Sequence, residues 1–533
     1  MKKLFAVIMM LTAIFVLAAC SGETSQKNEG TEQEQSQEKT EDTNKQETTS
    51  EEPKAGGELL ISDLGGAKTL DPHKATNAQS MRYIENMYNT LLRYKKGTYG
   101  ELEGDLVKDY KISENGKVYT FNLYEGVKFH NGDDLTSEDV KYSIERIIEQ
   151  EVRASHFAAV EKIETSDDYT VVLTLSEPVA PFLTFLAYPM NVIVNKTVVE
   201  ENNGSLNNAD AGSGPFKMVE WKKDQQLELA KFEDYFKDGK PYLDKVVWRT
   251  IPDETARITA LRNKEIDIVL QVSPKDIPLI KKAEGVEITS VPGTYWEYIG
   301  LNTEAGPLAK KEVRQAIAWA VDRGALNKVI KFGKGTVLTG GPIPPGHWAD
   351  GELNTYPKRD LEKANQLLSD AGYADGFKVT LKTSPNQNQV DAAQMIKQQL
   401  AEVGIEVEVL TQESSIFFEA LGKKDFEMTV VGWVGFVDPD EFLYNIFHTG
   451  EVWNQQAYSN STVDELLEKG RKTMDQEERK QIYTEAQKLI VEDAPMVFLY
   501  ANPQTSALVE GVQGFDVNPT VSTISLEDTW LDR

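Results

Sequence analysis

Apolar residues recur along this chain with two spacings, and the spacing changes from one segment to the next. Alternation by two predicts strands at 58–62, at 119–123, where Tyr119, Phe121 and Leu123 share a face, at 170–175, and at 405–410, where glutamates hold the alternate positions. Short unbroken apolar runs predict buried strands at 428–431 and 496–500. Spacings of three and four predict helices at 80–93, with Ile84, Met87, Tyr88, Leu91 and Leu92 in one stripe, and at 136–148, with Val140, Ile144, Ile147 and Ile148. Further helices are predicted after Asp360, at 391–403, at 415–421 and after Asp475. Local punctuation agrees. Thr136 and Asp139 form a capping box with Leu135 and Val140 as its hydrophobic staple, and Gly372 and Gly404 lie just past helix ends. In the second half helices and strands alternate, which predicts βαβ units, mixed sheets and an α/β fold class.

The first 54 residues break this pattern. Lys2 and Lys3 precede an apolar run at 4–17, too short for a spanning helix but suited to a secretory signal at 1–19. Leu17-Ala18-Ala19-Cys20 then brings the single cysteine of the chain, which has no internal partner for a disulfide. From 21 to 54 there is no aliphatic or aromatic residue at all, so 20–54 is predicted to be a disordered acidic tether. Its r.m.s. reach is about 30 Å. The formal net charge of -28 and the lack of a basic stripe exclude nucleic acid as a natural partner.

The stretch 426–442, FEMTVVGWVGFVDPDEF, is the first candidate for a pocket wall. Gly432 and Gly435 flank Trp433 and Val434 and permit a close backbone approach at a strand end, where ligand clefts of α/β sheets form. Val437-Asp438-Pro439-Asp440 is predicted to make a turn. Catalytic chemistry is thin. No GxSxG elbow or HExxH pair occurs, and His73, His130, His156, His347 and His448 are scattered. No catalytic residue, metal site or cofactor is therefore assigned, and the expectation is capture rather than conversion.

Several passages, taken in order, resemble one family. They are Thr69-Leu70-Asp71-Pro72; YTFNLYEGVKFHNGDDLTSEDVKYSIERI from Tyr119; residues 171–178; GSGPF from Gly212; LRNKEIDI from Leu261; IGLNTEAGPL from Ile299; VRQAIAWAVDR from Val313; DLEKANQLLSDAGY from Asp360; and EERKQIYTEAQKLIVEDAP from Glu477. Together they resemble the bacterial extracellular solute-binding proteins of family 5, the oligopeptide- and dipeptide-binding lipoproteins of peptide ABC transporters. Leu17-Ala18-Ala19-Cys20 likewise resembles a lipobox, which implies a diacylglyceryl-modified Cys20 anchored in the bacterial cell membrane on its extracytoplasmic face.

The resemblance implies a two-lobed, periplasmic-binding-protein-like clamshell of the class II type, with three domains. Domain I would comprise 55–95, 211–298 and 499–533, domain II 96–210, and domain III 299–498. A monomer of this kind holds a peptide between its lobes and delivers it to ABC transporter permease subunits. The implied cleft residues are Ala75, Asn77, Tyr188, Tyr295, Trp296, Tyr298, Trp433, Val434, Gly435, Phe436, Asp438 and Tyr500. Many relatives place an aspartate three residues after the tryptophan to meet the peptide's amino group; here that position is Phe436. Either Asp438 substitutes or the amino terminus goes unread. The alternatives are the same fold with a nickel chelate, glutathione or haem as ligand, and a cell-surface hydrolase. Cys20→Ala is expected to abolish acylation; unchanged partitioning of the variant into detergent would refute the anchor.

Overall fold

The computed structural model describes residues 52–533 apart from Gly97, Tyr99 and Phe436. The signal segment, Cys20 and nearly all of the expected tether lie outside the described residues, as does the cleft candidate Phe436.

Two large mixed sheets organise the unit 53–533. The seven-stranded sheet runs Val286–Val291, Gln504–Val509, Ile268–Val269, Glu58–Asp63, Lys245–Thr250, Gln226–Lys231, Phe216–Lys222. Glu58–Asp63 lies parallel to both its neighbours, whereas Gln504–Val509 returns antiparallel beside Ile268–Val269. The six-stranded sheet runs Thr336–Val337, Met496–Ala501, Tyr295–Leu301, Met428–Val434, Phe377–Thr383, Ile405–Thr411. It repeats the local plan: Phe377–Thr383 is parallel to Ile405–Thr411 and Met428–Val434, and Tyr295–Leu301 returns antiparallel. A smaller four-stranded antiparallel sheet spans residues 107–175.

The cores follow the sheets. One is drawn from residues 296–501, another from 91–193, and the core around the seven-stranded sheet collects residues from 59 to 531 with long gaps between them. The chain passes between the two large sheets at 292–294 and 502–503, and these passages lie against each other. The Asn502 N–H donates to the Tyr295 carbonyl at 2.8 Å, and a Cβ on Gly293 would strike the Asn502 carbonyl.

Most predicted elements are present, with informative shifts. The capping box holds: Asp139 accepts the Thr136 N–H at 3.0 Å, and Leu135 and Val140 are buried. The helix expected over 80–93 is Ala78–Met87, started by the Asn77 side chain accepting the Ser80 N–H at 2.8 Å. Its apolar stripe misleads because the chain changes cores there. Ile84, Met87 and Tyr88 belong to one core, while Leu91 and Leu92 belong to the next and lead into the strand Leu92–Tyr94. The turn expected at 437–440 is instead the start of helix Pro439–Phe447, since an aspartate cap followed by proline at the first helical position reads like a turn. Gly212 and Gly214 mark a backbone crossing, where a Cβ would meet the Met87 carbonyl group.

Two buried arginines from segments packed with the smaller sheet hold the 71–75 loop that follows strand Glu58–Asp63. Arg146 donates to both oxygens of Asp71 at 3.0 and 2.8 Å, and Arg153 donates to the carbonyls of Pro72 and Ala75 at 2.6 and 2.7 Å.

Two buried histidines make stability depend on pH. Burial holds the His73 imidazole down to about 3, and it also lowers His347, whose Nδ1 accepts the Ala349 N–H. Unfolded, each takes a proton below about 6.5. Their contribution is complete above that pH and is lost as pH falls through the window below it. Glu85 runs the other way: burial pushes its carboxyl up to about 7 despite hydrogen bonds from Ser522 and Thr523. Its contribution is present at low pH and is lost as pH rises to about 7. The urea midpoint is expected to fall from pH 6.5 towards 4.5, and Glu85→Gln is expected to steepen that fall by removing the opposing group; a flat wild-type profile would refute the assignment.

Candidate ligand site

Around the two chain passages lies a cavity of about 720 Å³, within the range of roughly 300–1,000 Å³ usual for ligand pockets. Thr294, Tyr295, Asn502, Pro503 and Gln504, in and beside the two passages, form one wall, and residues packed with each large sheet complete it.

Strand alternation decides which side chains reach it. Along Tyr295–Leu301, Tyr295 and Glu297 face the cavity, while Trp296 and Tyr298 point into the core and pack with ring centroids 5.0 Å apart. On the neighbouring strand Val434 pairs with Tyr295 and also lines the cavity. Gly432, paired with Glu297, leaves room for the Tyr295 phenol, which a Cβ there would strike. Burial, and then the nearby Glu297 carboxylate, raise the pKa of that phenol.

The lining is rich in neutral amides: Asn77, Gln271, Asn386, Gln387, Asn388, Gln389, Asn502 and Gln504. Each offers both donors and an acceptor, the inventory needed to meet peptide groups. Asn77 and Asn386 also cap helices Ala78–Met87 and Gln387–Ala401, so two helix amino ends, with their partial positive charge, border the cavity. The charged lining residues, among those described, are two opposed pairs. Lys275 meets Glu254 at 2.5 Å, and Lys331 meets Glu297 at 2.6 Å. The first pair is partly exposed; the second is buried, and Glu297 also accepts from Asn502 Nδ2 at 3.0 Å.

Against this geometry, residues 101–454 match the family described as bacterial extracellular solute-binding proteins, family 5 Middle. The chain belongs to family 5 of the bacterial extracellular solute-binding proteins. It is 29% identical over 488 residues to the glutathione-binding protein GsiB of Escherichia coli (strain K12), covering 89% of this chain and 94% of that one. Among solved structures it resembles the ABC transporter-associated periplasmic binding protein DppA of Helicobacter pylori in complex with the peptide STSA, with a TM-score of 0.79 and 31% identity over 90% of this chain and 99% of that chain. It also resembles the binding protein AgaA of A. tumefaciens R10 in complex with agropinic acid, with a TM-score of 0.78 and 32% identity over 90% and 99% of the two chains. The fold is thus the mixed α/β fold of periplasmic binding proteins. This family-5 protein is an extracytoplasmic solute-binding protein of the ABC-importer type, and its family supports a receptor role rather than an enzymatic one.

Of the family-5 cleft positions expected from sequence, Asn77, Tyr188, Tyr295 and Val434 line the cavity. Ala75 is buried behind it with its carbonyl held by Arg153, and Tyr188 covers that guanidinium with its ring. Trp296, Tyr298 and Tyr500 are buried, although the Tyr500 hydroxyl lies beside Glu297, whose charge adds to burial in raising its pKa. Trp433 stands opposite Trp296, half-buried, and its ring meets that of Trp453 with centroids 5.4 Å apart; it does not line the cavity. Gly435 is buried against the Phe442 ring. The two glycines beside Trp433 therefore accommodate the protein's own aromatic rings. Asp438 is buried, caps helix Pro439–Phe447 and gives both oxygens to Arg479 at 3.0 and 2.8 Å, so it is committed to packing.

Sequence reasoning missed Glu297, Lys331, Phe332 and the 386–389 amides. The polar run at 386–389 has no apolar period, so the helix was expected to begin at 391; the Asn386 cap was the available signal. Lys331→Met would strand the buried Glu297 charge and is expected to cost about 3–5 kcal/mol of stability, while adding Glu297→Met should recover most of the loss. Urea midpoints for the two variants check this, and equal losses would refute the buried pairing.

Proposed function

We propose that this receptor captures short peptides in the cavity between its two large sheets and hands them to the permease of an ABC importer. The supporting observation is the lining itself: neutral amides that match peptide groups and two ion pairs whose charges cancel. Such a wall favours a ligand with a cationic and an anionic end and little net charge. In this reading the side-by-side passages at 292–294 and 502–503 are the hinge. Domain I takes 55–95, 211–298 and 499–533, domain II takes 96–210 and domain III takes 299–498. The protein acts as a monomer, held at the outer face of the cell membrane by acylated Cys20.

A second reading, glutathione as the ligand, is favoured by the extended similarity to GsiB. Native mass spectrometry of the purified chain, followed by denaturation to release what it captured during expression, separates the two. A heterogeneous set of short peptides is expected. A single mass equal to glutathione would favour the second reading, and a single non-peptide mass would overturn both.

A further inference from the structure

We propose, resting on the hinge reading above, that segments 177–180 and 471–474 form a latch outside the cavity, in which the Glu177–Lys472 ion pair holds the lobes together and thereby sets how tightly a ligand is retained.

The two sides of this seam belong to different cores. Glu177 and Ala180 follow the strand Thr170–Leu175, whose Val171, Leu173 and Leu175 lie in the core drawn from residues 91–193. Arg471 and Lys472 end the helix Ser461–Lys472, whose Val463 and Leu467 lie in the core drawn from 296–501. All four seam residues stand apart from the cavity lining.

The Ala180 N–H donates to the Arg471 carbonyl at 2.7 Å, and Lys472 Nζ meets Glu177 at 2.9 Å. Arg471 is itself fixed: its Nε donates to both oxygens of Asp440 at 2.9 and 3.1 Å, and its guanidinium lies 3.6 Å from the centre of the Tyr444 ring. Two glycine turns let the sides approach this closely. Gly116, with φ +67°, leaves room for Met474, which a Cβ would meet at 3.3 Å, and Gly100, with φ +100°, leaves room for the Val437 side chain, which a Cβ would overlap.

Rotation of the lobes about the passages at 292–294 and 502–503 pulls this seam apart. Contacts made only in the closed form raise its population, and the apparent affinity for an enclosed ligand rises with that population. The two side chains of the ion pair are 54% and 52% exposed, so salt screens their attraction. The latch therefore loosens as ionic strength rises, with no change in the residues that line the cavity.

Small-angle scattering of the unacylated full chain, dialysed free of captured ligand, and calorimetric titration with Ala-Ala-Ala test this. Lys472→Glu is expected to enlarge the radius of gyration and to weaken binding about three- to tenfold, and adding Glu177→Lys should restore both. Lys378→Glu breaks an exposed pair with Glu406 on neighbouring strands of one sheet, makes the same change in net charge, and should alter neither quantity. Raising NaCl from about 20 to about 500 mM should weaken binding by the wild type more than by Glu177→Gln. An unchanged radius of gyration or affinity in Lys472→Glu, or a double variant no nearer to wild type than the single one, overturns the latch while leaving peptide capture intact. Should the wild type fail to bind Ala-Ala-Ala, the functional reading falls, and the scattering comparison still decides the latch.

Discussion

The contact on which the molecule depends is the one between its two chain passages. The Asn502 N–H bonded to the Tyr295 carbonyl, with glycine at 293 so that the backbones can touch, fixes where two large sheets meet. Each passage continues directly into a strand of each sheet, so the six-stranded sheet is entered by Tyr295–Leu301 and left by Met496–Ala501 at neighbouring positions. A bond of this kind contributes only about 1 kcal/mol net, but it positions Tyr295, Glu297 and Asn502 on one wall. Further contacts join the segment after the four-stranded sheet to a helix packed with the six-stranded one: the Ala180 N–H donates to the Arg471 carbonyl at 2.7 Å, and Lys472 meets Glu177 at 2.9 Å. The ion pair is exposed and therefore weak.

The interior of the cavity combines two kinds of polarity. Amides and helix ends carry neutral dipoles or partial charges, which can meet the polar groups of a ligand without demanding a net charge on it. The buried Glu297–Lys331 pair is different. It holds full charges in a fixed place, and removing either partner would leave the other buried and uncompensated.

Much of the fold was legible in the sequence because periodicity and capping are local. The box at Thr136, the alternation at Tyr119, Phe121 and Leu123, and the buried run at 428–431 each needed only a few neighbouring residues. The site was less legible. Tyr295 and Trp296 are both aromatic and adjacent, yet they face opposite ways, and only the strand register assigns one to the cavity and the other to the core. Trp433 drew attention as an aromatic plate between glycines, but those glycines make space for Tyr295 and Phe442, which lie far from it or across a turn in sequence. Glu297 and Lys331 are ordinary charged residues until the fold brings them together over 34 positions.

The place of Gln504–Val509 in the seven-stranded sheet has a consequence for how the protein is made. This strand lies between Ile268–Val269 and Val286–Val291, both of which are finished more than two hundred residues earlier. Until the last thirty or so residues are present, the facing edges of these two older strands have no ladder partner, although Ile268–Val269 can already pair with Glu58–Asp63 on its other side. The seven-stranded sheet therefore cannot be completed until nearly the whole chain is present. A strand contributed from the carboxyl end makes completion of that sheet a late event, so the most distant parts of the sequence must meet before the sheet is whole.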